Sequence, residues 1–280
     1  MPRYKITLEY NGSFFCGWQR QHSDADVRED SKQAKNCTCS TRNQHSVQGA
    51  LEHALLKITG NSVLVEGAGR TDAGVHAFAQ CAHFDLNLPI EPHRLIGGLN
   101  FYTSPHACVV LKAEFAPSDF HARFSATSRE YVYKINNRRP PLALDRGRAW
   151  HVPRALDVDK IKTYAHDFWG NHNFNAFRSS ACQSKNPRKT LDMFNVVETN
   201  EMIECHVKAR SFLHNQVRIM VGTLVWIGLG KYEGDVIKQL LNSGERTASG
   251  PTAPAHGLYL SAVHYANHEF SNRLISDVSE

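Results

Sequence analysis

The sequence lacks a long hydrophobic run. Its longest apolar stretch, residues 219–230, is shorter than the roughly 20 residues that cross a bilayer, and Arg218 stands at its edge. The first twelve residues alternate charged and apolar side chains, unlike the uninterrupted apolar region of a secretory signal. We therefore expect a cytoplasmic protein that does not associate with a membrane.

The cysteines and histidines lack the spacing of a disulfide framework or a metal site. The seven cysteines are odd in number, are scattered and include no C-x-x-C pair. Cys37 and Cys39, with His22 and His45 nearby, are closer together than zinc ligands usually are, and no second pair follows. The 16 histidines include no H-E-x-x-H motif. The sequence predicts free thiols in a reducing compartment and no metal.

Neither sign of charge dominates. The 280 residues contain 32 Lys and Arg against 27 Asp and Glu, and 41% are hydrophobic, which excludes a largely disordered chain. The first 115 residues are balanced, so the net charge of +5 lies in the rest of the chain. Such a surplus suits a polyanionic partner, but it is also ordinary for a soluble protein. Charge alone does not choose between the two.

Hydrophobic periodicity predicts the same order of elements in each half of the chain. In the first half, Tyr4, Ile6 and Leu8 alternate with polar residues in a strand, and an apolar stripe at helical spacing begins after Ser46 and ends at Gly60. The predicted elements are strand 4–10, helix 47–58, strands 63–65 and 80–84, helix 92–101 and strand 108–115.

The second half repeats this β-α-β-β-α-β order. Its predicted elements are strand 130–135, helix 158–168 capped by Asp157, strands 191–197 and 202–209, helices 215–229 and 235–241, and strand 258–265. The order is that of the split β-α-β unit of ferredoxin-like folds. We therefore predict an α+β protein with two ferredoxin-like domains, residues 1–115 and 116–280, each an antiparallel sheet with helices on one face.

One segment fits neither half. Residues 22–45 are polar, charge-balanced and almost without apolar side chains, so they bury too little surface to order themselves. We expect a long polar surface insertion here.

The most unusual local sequence is the glycine-rich stretch at residues 67–76. It matches neither a dinucleotide-binding fingerprint nor a Walker loop. The stretch is therefore interpreted as a flexible glycine-rich loop that presents Arg70 and Asp72. Such a loop allows a ligand to approach the backbone closely. A tight turn whose two charges only meet solvent explains the same residues equally well.

Six segments together closely resemble the TruA-type family of tRNA pseudouridine synthases. They are YNGSFFCGWQRQ at 10–21, SVQ at 46–48, GRTDAGVHA at 69–77, FHARFSATSREYVYKI at 120–135, FLHNQVRIMVG at 212–222 and APAHGLYL at 253–260. The resemblance runs in register over nearly the whole chain except the insertion. It implies isomerisation of uridine to pseudouridine at positions 38, 39 and 40 of the tRNA anticodon stem-loop. It also implies a homodimer without cofactor or metal, and two RRM-like domains with an active-site cleft between them.

The resemblance also assigns roles to residues. Asp72 resembles the catalytic aspartate, which adds to C1′ or takes the 2′ proton; the sequence does not choose between these routes. Arg218 resembles the arginine that pairs with it, and Tyr131 the tyrosine that stacks on the target base, although Tyr133 lies on the same strand face. Arg70 resembles the residue that fills the space of the flipped nucleotide, and Leu258 an apolar residue of the pocket or an ordinary core leucine.

Contacts with the rest of the RNA are less determined. Arg178, Lys185, Arg188 and Lys189 form a basic stretch without acidic residues that suits a phosphate backbone. Phe174 and Phe177 lie among them, and we expect both in the core.

Two rival functions are open to this sequence. One is a non-catalytic RNA-binding protein on the same fold, which would not need the set of Asp72, Tyr131 and Arg218. The other is a metal-dependent hydrolase, and activity retained in EDTA would exclude it.

Overall fold

A computed structural model describes residues 1–20 and 46–266, and the chain divides into two compact units. The first unit comprises Met1–Thr127 and Val263–Glu280, and the second comprises Ser128–Ala262. The described residues form a mixed α and β fold with five α-helices. None of these helices is long and apolar enough to cross a membrane. The predicted insertion at 22–45 lies outside the described residues.

The first unit contains four antiparallel strands and two helices. Its elements are β1 (Arg3–Tyr10), α1 (Val47–Thr59), β2 (Glu66–Gly67), β3 (His76–Asp85), α2 (Pro92–Thr103) and β4 (Cys108–Ala116). The strands lie in the order β4-β1-β3-β2, with every neighbouring pair antiparallel. The central strand β1 pairs Ile6 with Ala82 on one side and with Ala113 on the other.

The local sequence explains most of these boundaries. The Ser46 side chain accepts a hydrogen bond from the Gly49 N–H, which begins α1, and Gly60 ends it in the left-handed conformation at φ 72°. The predicted strand at 63–65 is wrong. Val63 and Val65 are buried, but the Val65 N–H donates to Glu52 Oε1 on α1, and ladder pairing begins only at Glu66.

The second unit is built on β5 (Ala126–Asn136), whose first two residues belong to the first unit. It continues with β6 (Trp150–His151), α3 (Val158–Ala165), β7 (Gly170–Asn173), β8 (Arg188–Thr199), β9 (Met202–Ala209), α4 (Gln216–Gly228), α5 (Val236–Ser243) and β10 (Leu258–Tyr265). The strands β5-β9-β8-β7 follow one another in antiparallel pairs, and β6 pairs with β5 in parallel. Asp157 caps α3 as expected, but the helix ends at Ala165 and a 3₁₀ turn covers His166–Phe168.

An aromatic cluster fills part of the core of the second unit. Phe168 stacks on Phe174 and Phe194 with ring centroids 6.4 and 5.5 Å apart, and Phe177 meets it edge-on at 5.0 Å. All four rings are fully buried. The expectation that Phe174 and Phe177 belong to the core is therefore confirmed.

The division of the chain differs from the predicted boundary at 115/116. Residues after β4 pack on the first unit, because Arg3 donates to the carbonyls of Ser118 and Phe120 and the Ala122 N–H donates to His83 Nδ1. The chain also returns to the first unit at Val263, within β10. Periodicity locates elements but does not show which neighbours a connecting segment contacts.

Candidate active site

The glycine-rich loop between β2 and β3 is held on both sides of Asp72. The Tyr10 hydroxyl lies 2.8 Å from the Thr71 hydroxyl, and the Trp18 N–H donates to the Thr71 carbonyl at 3.0 Å. On the other side, the Val75 N–H donates to the Asp72 carbonyl at 3.1 Å. The backbone that carries Asp72 is thus fixed before any ligand arrives, which is what a positioned catalytic group requires.

Two glycines let the chain after β1 approach this loop backbone to backbone. A Cβ at Gly12 would clash with the Val75 carbonyl oxygen, and one at Gly17 would lie 2.8 Å from the Thr71 oxygen. Gly17 also has φ 116°, a conformation that L side chains rarely adopt. The Gly12 N–H donates to Nδ1 of the buried His76 at 3.0 Å. The YNGSFFCGW segment is therefore in direct contact with the loop that carries Asp72.

Arg70 and Asp72 differ in exposure within this loop. Arg70 is exposed, whereas Asp72 is half-buried. An exposed guanidinium suits a residue that enters a space vacated by a nucleotide, and a partly dehydrated carboxylate suits chemistry. Both assignments remain predictions.

Arg218 stands in the first turn of α4 and is held by its own unit. Its Nε donates to the Ala253 carbonyl at 2.7 Å and its Nη1 donates to Asn215 Oδ1 at 2.7 Å, while the Ala253 N–H donates back to the Arg218 carbonyl at 3.1 Å. The arginine is therefore oriented by protein groups and does not simply extend from an apolar helix into water.

Asn215 is a residue of the candidate site that the sequence did not reveal. It stands at the position where a side chain normally caps the helix, with φ 61° and ψ 9°, but it makes no capping bond. Its side-chain oxygen accepts from Arg218 instead. The only signal in the sequence was the spacing of three residues between Asn215 and Arg218, which is one helical turn.

The structure separates the two tyrosines that the alternating pattern left equivalent. Tyr133 is fully buried and donates its hydroxyl to the Pro254 carbonyl at 2.8 Å, and burial raises its pKa well above the ordinary value. Tyr131 is half-buried, with its ring edge-on to Phe212 at 5.2 Å. A base can therefore reach Tyr131 more readily than Tyr133. Leu258, at 6% exposure, is as buried as a core leucine, so its role in a pocket remains a prediction.

Comparison with known proteins identifies the family. A family model described as tRNA pseudouridine synthase matches residues 164–266. The tRNA pseudouridine synthase A of Nitrobacter winogradskyi is 48% identical over 265 residues, covering 95% of this chain and 96% of that protein. The protein of the same name from Rhodopseudomonas palustris strain BisB18 is 48% identical, and the match covers 100% of that protein.

This chain belongs to the tRNA pseudouridine synthase A family. The resemblance expected from the motifs is confirmed, and the protein is an isomerase that converts uridine to pseudouridine in tRNA. A chain from the crystal structure of a Cbf5-Nop10-Gar1 complex is also similar over 62% of this synthase and 38% of that chain, at 10% identity. Its TM-score of 0.28 is too low to bear on the fold.

The basic stretch of the synthase is divided by the fold. Arg178 donates to the Ser184 carbonyl at 3.0 Å within its own loop, whereas Lys185 is exposed. Arg188 and Lys189 are consecutive residues of β8, so their side chains point to opposite faces of the sheet. Lys189 is half-buried and shares its face with the buried Leu191, while Arg188 is exposed. Their contact with RNA remains a prediction.

One group of ligand-type side chains among the described residues of the synthase is compact enough for a metal: Glu66, His83 and His121. His83 Nδ1 accepts the Ala122 N–H at 3.3 Å, and His121 Nδ1 accepts the Arg123 N–H at 3.1 Å. Each neutral ring therefore carries its proton on Nε2, the nitrogen that faces Glu66. A metal at Nε2 would move that proton to Nδ1, against a backbone N–H. These residues suit a hydrogen-bonded cluster and not a metal site.

Proposed function

We propose that this enzyme acts on uridines 38, 39 and 40 of the tRNA anticodon stem-loop, as a cytoplasmic homodimer without metal or cofactor. The reaction breaks the C1′–N1 bond, forms a C1′–C5 bond, removes the C5 proton and adds a proton to N1. No electrons are gained or lost, so the chemistry needs no redox partner. The six motifs that resemble the TruA-type family support the choice of positions.

We further propose that both units are RRM-like domains. In the first unit, the order β4-β1-β3-β2 with helices after β1 and β3 supports this assignment. In the second unit, the order β5-β9-β8 with helices after β5 and β9 supports it. RRM-like sheets are a common platform for single-stranded RNA, which is consistent with a substrate whose nucleotide leaves its stack.

The observation that carries the catalytic assignment is the fixed backbone around Asp72. In the proposed reaction, the Asp72 carboxylate attacks C1′ or removes the 2′ proton, and either role requires an ionised group at a fixed position. Hydrogen bonds at Thr71 and at the Asp72 carbonyl provide that position. An ordinary solvated turn would not need a buried hydroxyl pair beneath it.

The other proposed site residues complete the chemistry. Arg218 pairs with the carboxylate and orients it, Tyr131 stacks on the base and accepts the C5 proton, and Leu258 bounds the pocket. Arg70 fills the space left by the flipped nucleotide. Two hydrogen bonds hold the Arg218 side chain, which supports a role in orientation.

Asp72→Asn tests this function most directly. The substitution keeps the size of the side chain and removes the charge, so single-turnover formation of pseudouridine should fall to background. Affinity for tRNA should stay within about threefold, because phosphate contacts supply most of it. Asp119→Asn removes an exposed carboxylate of the same unit and is the matched control. Substantial product from Asp72→Asn would contradict the assignment.

Two further arms separate the remaining alternatives. A tRNA with cytidine at positions 38, 39 and 40 should yield no product, and product from it would place the target elsewhere. Arg218→Ala should be a milder defect, and the double variant should be no worse than Asp72→Asn alone, because groups that act as a unit are not additive.

A further inference from the structure

A short turn in the first unit displays an aromatic side chain to solvent. The turn, residues 121–125, follows β4 and precedes β5, and its tip consists of Arg123 and Phe124. Both tip residues are exposed, and Phe124 retains 72% of its accessible surface. A large apolar ring at this exposure contributes little to the hydrophobic core.

The turn is nevertheless held by several hydrogen bonds of its own. His121 Nδ1 accepts the N–H of Arg123 at 3.1 Å and that of Phe124 at 3.4 Å. The Ser125 N–H donates to the His121 carbonyl at 2.9 Å, and the His121 N–H donates to Ser125 Oγ at 3.0 Å. The backbone that carries the exposed ring is therefore rigid.

The same turn is also held by the cluster of Glu66, His83 and His121. Glu66 Oε2 lies 3.4 Å from His83 Nε2 and 3.3 Å from His121 Nε2. This arrangement keeps both protons on Nε2 and leaves both Nδ1 atoms to accept backbone N–H groups, including that of Ala122. The Ala122 carbonyl in turn accepts the Tyr265 hydroxyl at 2.8 Å. Three ionisable side chains thus serve to fix one turn.

The tip combines the features of a stacking surface. The Arg123 guanidinium lies 5.6 Å from the Phe124 ring centroid, and the His121 ring lies 4.3 Å from it at an interplanar angle of 43°. An aromatic face beside a guanidinium is how proteins commonly hold an unpaired nucleobase next to its phosphate. Phe101 is equally exposed, at 73%, but it stands on α2 with its ring edge-on to Tyr102.

We propose that Arg123 and Phe124 form a stacking contact for an unpaired base of the tRNA substrate. Because the turn is rigid, no entropy cost arises for ordering the ring on binding. The exposed surface is therefore preorganised for the ligand. The choice of RNA as ligand rests on the proposed function. A second copy of this chain, docking through the same ring, is the alternative that the experiment must separate.

The test compares tRNA affinities of Phe124 variants at fixed salt. Stacking of one base corresponds to roughly 1–3 kcal/mol, so Phe124→Ala should weaken binding about 5- to 150-fold. Phe124→Tyr should bind within about threefold of wild type, whereas Phe124→Leu should be nearly as weak as alanine, because leucine is apolar but has no π face. Phe101→Ala is the matched control for loss of an exposed ring, and it should bind normally.

Several results would overturn the proposal. Unchanged affinity in Phe124→Ala would do so, and so would full recovery in Phe124→Leu. A change of molecular mass in solution on Phe124→Ala would assign the ring to contact between copies instead. Pseudouridine formation by the wild-type protein is measured in parallel: its absence would contradict the proposed function, while the affinity series still decides the role of the turn.

Discussion

Asn215 has a backbone conformation that residues other than glycine rarely adopt, and its side chain holds Arg218. Asn215→Gly keeps the left-handed conformation and removes the hydrogen bond, so we expect pseudouridine formation to fall on the order of tenfold with little loss of stability. Asn215→Ala should lose activity similarly and, in addition, about 1–2 kcal/mol of unfolding free energy. Single-turnover rates and denaturant unfolding measure the two effects.

Asn200 provides the control for this pair. It also has a positive φ, 55°, but it lies in the exposed turn between β8 and β9. Asn200→Gly should leave the rate unchanged, and Asn200→Ala should lower stability alone. If Asn215→Asp, which retains an acceptor oxygen, failed to restore activity above that of Asn215→Gly, the role assigned to this bond would be wrong.

His83 should make the first unit sensitive to acid. Burial lowers the pKa of His83 below its ordinary 6.5, and the nearby charges of His121 and Arg3 lower it further against the opposite effect of Glu66. As the pH falls, His83 therefore takes up its proton at a higher pH in the unfolded chain than in the folded chain. Stability should be complete above about pH 6.5 and should decrease as the pH falls from there toward 5.

The measurement is the free energy of unfolding between pH 7.5 and 5. His83→Asn keeps an acceptor for the Ala122 N–H but does not titrate, so its stability should depend less on pH than that of wild type. Some dependence should remain, because burial also lowers the pKa of His256 in the second unit. An equally steep profile in His83→Asn would rule out His83 as the source.

The loop that carries Asp72 depends on β1. Tyr10→Phe removes the bond to the Thr71 hydroxyl, and we expect a loss of about 1–2 kcal/mol in stability and on the order of tenfold in turnover. Tyr4→Phe, on the same strand, removes the hydroxyl that donates to the Ile90 carbonyl. It should cost similar stability without loss of turnover. Equal effects on turnover would mean that Tyr10 acts through the fold alone.

Elements with a long, regular pattern were predictable from the sequence. The bounds of β9 and β10 match the prediction, and α1 is capped by the two residues whose chemistry marked its ends, Ser46 and Gly60. The strands β2, β6 and β7 contain two to four residues, too few to show a period. Their existence depends on neighbours that are distant in sequence.

The candidate site was predictable as a set of residues but not as an arrangement. The motifs supplied Asp72, Tyr131 and Arg218. The partners of Arg218 were hidden, because Asn215 adopts a rare conformation and the Ala253 carbonyl comes from a backbone group 35 residues away. Burial, which separates Tyr131 from Tyr133, depends on packing and has no counterpart in strand alternation.

Considered as a whole, the molecule carries its net charge of +5 after residue 115, so tRNA binding should weaken steeply with salt. Removing one phosphate contact should reduce the slope of log affinity against log salt by about 0.7–0.9. Arg188→Ala should do so, whereas Lys189→Ala, on the face of Leu191, should change it less. Lys160→Ala removes an exposed charge of the same unit and is the control. Equal slopes for all variants would place the RNA elsewhere.

The return of the chain to the first unit at Val263 has a consequence for synthesis. Val263 and Tyr265 pack against the cluster of Phe120 and Ala122, yet the ribosome releases them only after all of the second unit. A nascent chain therefore carries its first unit uncovered at this cluster while the second is being translated. The first unit can therefore be completed only after the second unit has been synthesised. A ribosome that stalls before residue 263 leaves the apolar surface of this cluster accessible to chaperones and proteases.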